Sequence, residues 1–159
     1  MNGQSEGLSI MSVAGKPLFG GVLSEIHGCC FATGWRHSAF SDLLEQPTVS
    51  ALLARYRRGA DEEPAGFILC RSAAGEAEII TFCVLPKDRG VGIGRALLVA
   101  AIDQLSQDGI GELHLEVEQG NNAAISLYES AGFQKTGRRQ GYYRSGADSG
   151  DAILMARSL

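Results

Sequence analysis

The chain has 159 residues, 45% hydrophobic and 20% charged, which suits one globular domain with a single core, expected over residues 1–159. Its net charge of −4 and pI near 5.3 lack the electrostatic footprint of a nucleic-acid binder and are more compatible with a cationic partner. No apolar stretch is long enough to span a bilayer, and Met1–Gly7 is polar without the features of a secretory signal, so a cytoplasmic protein with a flexible start at residues 1–7 is expected.

The first element is a short apolar strand at Leu8–Val13, followed by a helix over Leu18–Phe31 with Val22, Leu23, Ile26 and Cys30 near helical spacing. A second helix is predicted over Ser38–Gln46, stopped by Pro47 because the residue before proline is biased away from the helical region. Thr48–Tyr56, Ala65–Arg71 and Glu76–Leu85 read as an antiparallel meander, separated by turns at Arg58-Gly59-Ala60-Asp61 and Ala74-Gly75. Gly92–Gln107 carries an apolar stripe of helical period ended by Asp108-Gly109. Leu113–Glu118 alternates strictly, with His114, Glu116 and Glu118 on its polar face. A helix over Asn121–Ala131 closed by Gly132 follows, then strands at Phe133–Arg138 and Ala152–Ala156 around an aromatic turn at Tyr142-Tyr143.

Cys29, Cys30, Cys70 and Cys83 form no C-x-x-C pair and suit reduced thiols. His27, His37 and His114 are scattered, and His27 with Cys29 makes half a metal site at most, so no metal is expected.

The chemistry begins at Val84-Leu85-Pro86-Lys87-Asp88-Arg89-Gly90-Val91-Gly92-Ile93-Gly94-Arg95, which joins a strand to the start of the strongest helix. Glycines there let successive backbone N–H groups close on an anion, and the helix start adds partial positive charge. A dinucleotide-binding G-x-G-x-x-G fails, since Arg95 or Leu97 stands where the third glycine belongs, and the Gly-Lys-Ser/Thr of a triphosphate loop is missing. What remains, Arg89-x-x-Gly92-x-Gly94, resembles the R/Q-x-x-G-x-G/A pyrophosphate loop at the coenzyme A site of the GNAT superfamily of N-acetyltransferases. Two or three N–H bonds at about 1.5–3 kcal/mol each would supply roughly half of the ~8 kcal/mol that micromolar affinity requires, leaving the rest to the pantetheine arm.

Acetyl transfer from a thioester to an amine needs a neutral amine, a stabilised oxyanion and a proton for the thiolate, but no enzyme nucleophile. Glu116 has the chemistry of the base and Tyr128 that of the acid; His114 and Glu118 share the face of Glu116 and are rivals. Asn121, Ile125 and Tyr128 fall on one helix face, and two roles are open to Asn121: helix N-cap, or hydrogen-bond partner of a pantetheine amide.

From Glu78 to Met155 the chain further resembles the bacterial RimI-type ribosomal-protein-alanine N-acetyltransferases. The marks are Val84-x-Pro86, Arg89-Gly90-x-Gly92-Ile93-Gly94-Arg95-Ala96-Leu97-Leu98, Leu115-Glu116-Val117, Asn121, Ala124-Ile125, Leu127-Tyr128-Glu129-Ser130, Gly132-Phe133, Arg138-Arg139, Tyr142-Tyr143 and Asp151-Ala152-Ile153. The resemblance implies acetyl-coenzyme A as cosubstrate and the N-terminal peptide of a ribosomal or other protein as acceptor; composition adds the expectation of no membrane or nucleic-acid partner, and the oligomeric state is left open, a monomer being one option. It places Glu116 and Tyr128 in the catalytic roles. Cys83 and Val84 would lie along the pantetheine, Arg89, Gly90, Val91, Gly92, Ile93, Gly94, Arg95 and Ala96 around the pyrophosphate, and Asn121 on the coenzyme. Trp35, Tyr142 and Tyr143 are weaker candidates for the acceptor groove. The implied fold is α/β, a mixed, mostly antiparallel seven-stranded sheet flanked by helices on both faces.

Gly120-Asn121-Asn122 stands where a single serine-asparagine step is common, Glu118 where arginine is frequent, and Arg144 where proline is, so Asn121 and Asn122 compete for the coenzyme position. Two other functions fit the same loop: acetylation of a small-molecule amine, and coenzyme A binding without catalysis.

Overall fold

The structure, a computed structural model, describes residues 7–145 and 148–159, with side chains described except at 142–145 and 148–149. The flexible start expected for Met1–Gly7 lies, apart from Gly7, outside the described residues. Strands β1 (Leu8–Ser12), β2 (Val49–Arg58), β3 (Asp61–Ala73), β4 (Glu76–Val84), β5 (Glu112–Glu118), β6 (Gln134–Ser145) and β7 (Asp148–Ser158) and helices α1 (Gly20–Cys30), α2 (His37–Glu45), α3 (Ile93–Gln107) and α4 (Asn122–Ser130) follow one another as β1-α1-α2-β2-β3-β4-α3-β5-α4-β6-β7. The strands form one mixed, mostly antiparallel sheet in the order β1-β2-β3-β4-β5-β7-β6, the α/β architecture expected. Two compact units divide the chain: residues up to Arg71 with Ile80–Ala101, and Ser72–Ile79 with Ile102–Leu159.

In the first unit β1 lies antiparallel to β2, and β2 to β3, with a bulge where Ala54 faces Gly66 and Arg55 faces Pro64. Proline is tolerated at such a place because the ladder is already interrupted. Ala51–Ala54 and Ala65–Cys70 are buried without alternation, so both faces of these strands are covered. One face carries Leu53, Phe67 and Leu69 into a core with Leu23 and Ile26 of α1 and Phe40 and Leu44 of α2. β2 and β3 run farther toward their hairpin than the apolar pattern predicts, because charged residues continue the ladder: Glu62 lies 3.7 Å from Arg55 and 3.9 Å from Arg57. Ser9 donates a 2.6 Å hydrogen bond to the Glu62 carboxylate, and this bond, ahead of the two arginines, holds its pKa below the ordinary value.

In the second unit Glu76–Glu78 of β4 pair in parallel with Glu112–His114 of β5, while β5 runs antiparallel to β7 along its whole length. The Ala74-Gly75 turn has both residues at positive φ (53° and 81°), as a tight hairpin requires. α4 ends on Gly132 at φ 91°, with the Phe133 N–H bonded back to Tyr128 O at 3.0 Å. The aromatic turn expected at Tyr142-Tyr143 is instead part of β6, which runs to Ser145 with irregular pairing between Arg139 and Tyr143. An insertion in the ladder carries strand pairing past the residues that sequence alone marks as a turn.

Gly66 is the tightest point near the end of β4: a Cβ there would sit 2.6 Å from the Cys83 carbonyl oxygen and 3.0 Å from Val84 Cα. Both are backbone atoms and cannot turn aside, so Gly66→Ala should destabilise the protein by about 1–3 kcal/mol in denaturant unfolding. A loss within experimental error would show that the two strands part without cost.

Candidate active site

In the first unit the glycine loop runs from the end of β4 to the start of α3. Leu85 N–H is fixed to Ala65 O at 2.7 Å, a single 3-10 turn covers Pro86–Asp88, and Arg89 folds back so that its Nε donates to Val84 O at 2.9 Å. Gly90 and Gly92 then take φ 83° and 91°, in open space where an added Cβ would meet nothing within 4 Å. Glycine is needed there for backbone conformation and not for crowding. Ile93 is buried, Val91 is exposed, and the first helical bond of α3 joins Ala96 N–H to Gly92 O at 3.1 Å. The preceding N–H groups have no acceptor inside the helix, the arrangement that receives an anion.

Cys83 and Val84, expected along an extended ligand arm, are both buried. The Cys83 thiol faces the core, where burial and the neighbouring Cys30 push its pKa up; Cys30 Sγ in turn lies 3.4 Å from Val84 O. Burial likewise lifts the Cys70 thiol to about 12. Protonated thiols of this kind are poor nucleophiles. Trp35, exposed, stacks on the His27 ring at 4.8 Å, and its backbone N–H donates to His27 Nδ1 at 3.2 Å while its carbonyl accepts from Ser24 Oγ at 2.7 Å. His27 is buried, with a pKa lowered by that burial, and serves as an aromatic post for the α1–α2 connection. Sequence reading weighed half a metal site against an ordinary surface or core role for it, and the core role holds.

In the second unit Glu116 sits at mid-β5 opposite Leu154 with its side chain 21% exposed. Arg139 of β6 meets both of its carboxylate oxygens, Nη2 to Oε1 at 3.0 Å and Nη1 to Oε2 at 3.5 Å. This partner was not foreseen, although Arg139 stands in the motif that carries the resemblance. His114, a rival base, lies at the start of the strand, where Nε2 is 3.6 Å from Glu76 and 3.8 Å from Glu112 and makes no hydrogen bond. Ligand-capable atoms of Glu76, Glu112 and His114 lie within 4.8 Å of one another, a grouping of exposed and half-exposed side chains. Glu118 is exposed at the end of the strand.

Tyr128 is buried in α4 with its ring 5.6 Å from that of Phe133. Asn121 caps α4, its Oδ1 accepting the Ala124 N–H at 3.2 Å; Asn122 is the first residue of the helix. The side chains of Tyr142 and Tyr143 lie outside the described residues. The irregular stretch before them is tied down by Asp151, which accepts the Gly141 N–H at 2.8 Å and meets Arg138 Nε at 2.6 Å, while Arg138 Nη2 donates to Gln119 Oε1 at 2.6 Å. Thus β6, β7 and the residue that follows β5 are laced together through Arg138, next to Arg139.

A model of the acetyltransferase (GNAT) family matches residues 22–133. The chain is 40% identical over 97 residues to the [ribosomal protein bS18]-alanine N-acetyltransferase of Salmonella typhimurium, covering 61% of this chain and 66% of that protein. It is 41% identical over 92 residues to the protein of the same name from Escherichia coli K12, covering 58% and 62%. The match therefore spans just under two thirds of these relatives' length. Among solved structures, the ribosomal-protein-S18-alanine N-acetyltransferase from Escherichia coli superposes with a TM-score of 0.85 at 29% identity, covering 96% of this chain and 94% of that one. Arabidopsis thaliana NAA60 in complex with acetyl-CoA gives a TM-score of 0.81 at 20% identity, covering 96% and 99%, a likeness of fold.

The Gly141 N–H, with Arg138 beside it, holds the Asp151 carboxyl below the usual carboxylate range. A depressed folded pKa contributes stability that is complete above the unfolded carboxylate pKa and is lost as pH falls through the folded value. The melting temperature of the wild type should therefore drop more steeply on the acid side than that of Asp151→Asn. Parallel acid limbs would contradict this lacing.

Proposed function

Because the chain belongs to the acetyltransferase (GNAT) family, we propose that it moves acetyl from acetyl-coenzyme A to the N-terminal α-amine of a protein, an N-terminal alanine of a small-subunit ribosomal protein being the acceptor suggested by its relatives. The observation that carries the reading is the glycine loop between β4 and α3, with left-handed Gly90 and Gly92 leading into a helix start. A pyrophosphate lies against the stretch from Arg89 through Ala96 and takes the N–H groups that precede the first helical bond of α3. The pantetheine arm runs along the end of β4 at Cys83 and Val84. Asn121, already the cap of α4, is the candidate hydrogen-bond partner of a pantetheine amide. Both ligands belong to the cytoplasm, where the reading places the protein.

In the proposed reaction the amine nitrogen attacks the thioester carbonyl carbon. The carbon–sulfur bond breaks, Glu116 takes the amine proton through water, and Tyr128 gives its phenolic proton to the departing thiolate. Arg139 fixes the orientation of the Glu116 carboxylate. An α-amine suits such a base: with a pKa near 7.8 about a seventh of it is neutral at pH 7, against about 0.04% of a lysine near 10.4. Trp35, with Tyr142 and Tyr143, shapes the acceptor groove in this reading.

Thiol release from acetyl-coenzyme A should occur with a short Ala-starting basic peptide and not with the same peptide blocked at its N-terminus but retaining a lysine. Release with neither would exclude peptide acetylation and leave a small-molecule amine or simple coenzyme binding. Tyr128→Phe should lower kcat about a hundredfold with little change in coenzyme affinity; unchanged turnover would remove Tyr128 as the acid.

A further inference from the structure

We propose that Arg58 and Asp88 form a positioning pair that sets the start of the Arg89–Gly94 loop and thereby the affinity for acetyl-coenzyme A, an inference that rests on reading that loop as the coenzyme site. Asp88 is 4% exposed and immediately precedes the loop. A carboxylate so buried requires a cation. Its sequence neighbours carry charge but spend it elsewhere: Lys87 Nζ meets Glu63 Oε2 at 3.0 Å, and Arg89 Nε meets the Val84 carbonyl at 2.9 Å. The cation comes from 30 residues away, where Arg58 ends β2 and its Nη2 donates to Asp88 Oδ1.

The same guanidinium nitrogen reaches the Lys87 carbonyl at 3.4 Å, so Arg58 grips the Pro86–Asp88 turn by both side chain and main chain. Its own orientation is supported by the Tyr56 ring, 5.5 Å below the guanidinium carbon. Tyr56, Arg58 and Asp88, with Asp61 and Glu63, line a polar cleft of about 130 Å³. None of the five was among the expected site residues.

The consequence is a loop fixed at both ends. Pro86 and the Asp88 N–H bond to Leu85 O at 2.9 Å make the entry turn rigid, while buried Ile93 and the Ala96-to-Gly92 bond anchor the exit. Between Arg89, bonded to Val84 O, and Gly92, bonded to Ala96, lie Gly90 and Val91. A loop held in its binding conformation loses less entropy when the ligand arrives. Asp88 itself bears the wrong charge to touch a pyrophosphate, so the pair acts through the loop. The neighbouring Lys87–Glu63 pair is exposed on both sides and contributes little.

The test is calorimetric coenzyme A affinity and acetyl-transfer kinetics for the full chain carrying Arg58→Gln, Asp88→Asn, both together, or Glu63→Gln, each measured well below its melting temperature. Each of the first two singles should weaken coenzyme affinity and raise the KM for acetyl-coenzyme A about tenfold, with the double variant no worse than either. The acceptor KM and kcat should stay within about twofold, and Glu63→Gln should match the wild type within about twofold. Wild-type affinity in the singles, multiplicative losses in the double, or a parallel fall in kcat and acceptor affinity would overturn the pair's role. Should Arg58→Gln not fold, the near-isosteric Asp88→Asn decides by its KM split alone. A wild-type chain that does not bind coenzyme A would instead overturn the reading of the loop, and this inference with it.

Discussion

Left-handed backbone at Gly90 and Gly92 is the constraint on which the first unit depends. With φ at 83° and 91°, these residues occupy a region that costs an ordinary L-residue about 1–2 kcal/mol each, and nothing else in the loop repays that strain if a side chain is added. The surroundings make sense as supports for this short stretch. Gly66 lets β3 press against the end of β4, Leu85 is bonded to Ala65, and Arg89 bends back onto Val84. On the far side buried Ile93 seats the first turn of α3. Backbone N–H groups recognise an anion only when they are held at its spacing, so a rigid strand end and a rigid helix start matter as much as the glycines.

The second unit solves a different problem, the placement of a carboxylate. Strand alternation lifts Glu116 out of the row of buried Leu113, Leu115 and Val117, and Arg139 holds it from two strands away. On the proposed reading this carboxylate serves an α-amine, which already spends an appreciable fraction of its time neutral at pH 7. The buried thiols are consistent with direct transfer for a related reason: Cys83 and Cys70 are kept protonated by burial.

Much of this was legible locally. The 3.6-residue stripe of α3, the strict alternation of β5 and the glycine loop between a strand and a helix are short-range patterns, and each gave its element within a residue or two. So was the capping of α4 by Asn121, one of the two roles open to that residue. What escaped was contact at a distance. Arg139 reaches Glu116 across 23 residues of chain, Arg58 reaches Asp88 across 30, and His27 becomes a buried stacking partner only once Trp35 and Phe40 close over it. No spacing rule predicts such pairs, because the sheet order that brings β6 toward β5 with β7 between them is not written in either strand. The extension of β6 through Tyr142 and Tyr143 escaped for a related reason: irregular pairing around Gly141 breaks the period that a sequence reading follows.

The most direct measurement is a heteronuclear amide titration of the full chain with coenzyme A and, separately, with pantetheine, which lacks the pyrophosphate. Backbone N–H signals of Gly90 through Ala96 should shift strongly with coenzyme A and little with pantetheine, as they would if the loop and the start of α3 hold the phosphates. Equal shifts with both ligands, or shifts confined to other segments, would contradict it.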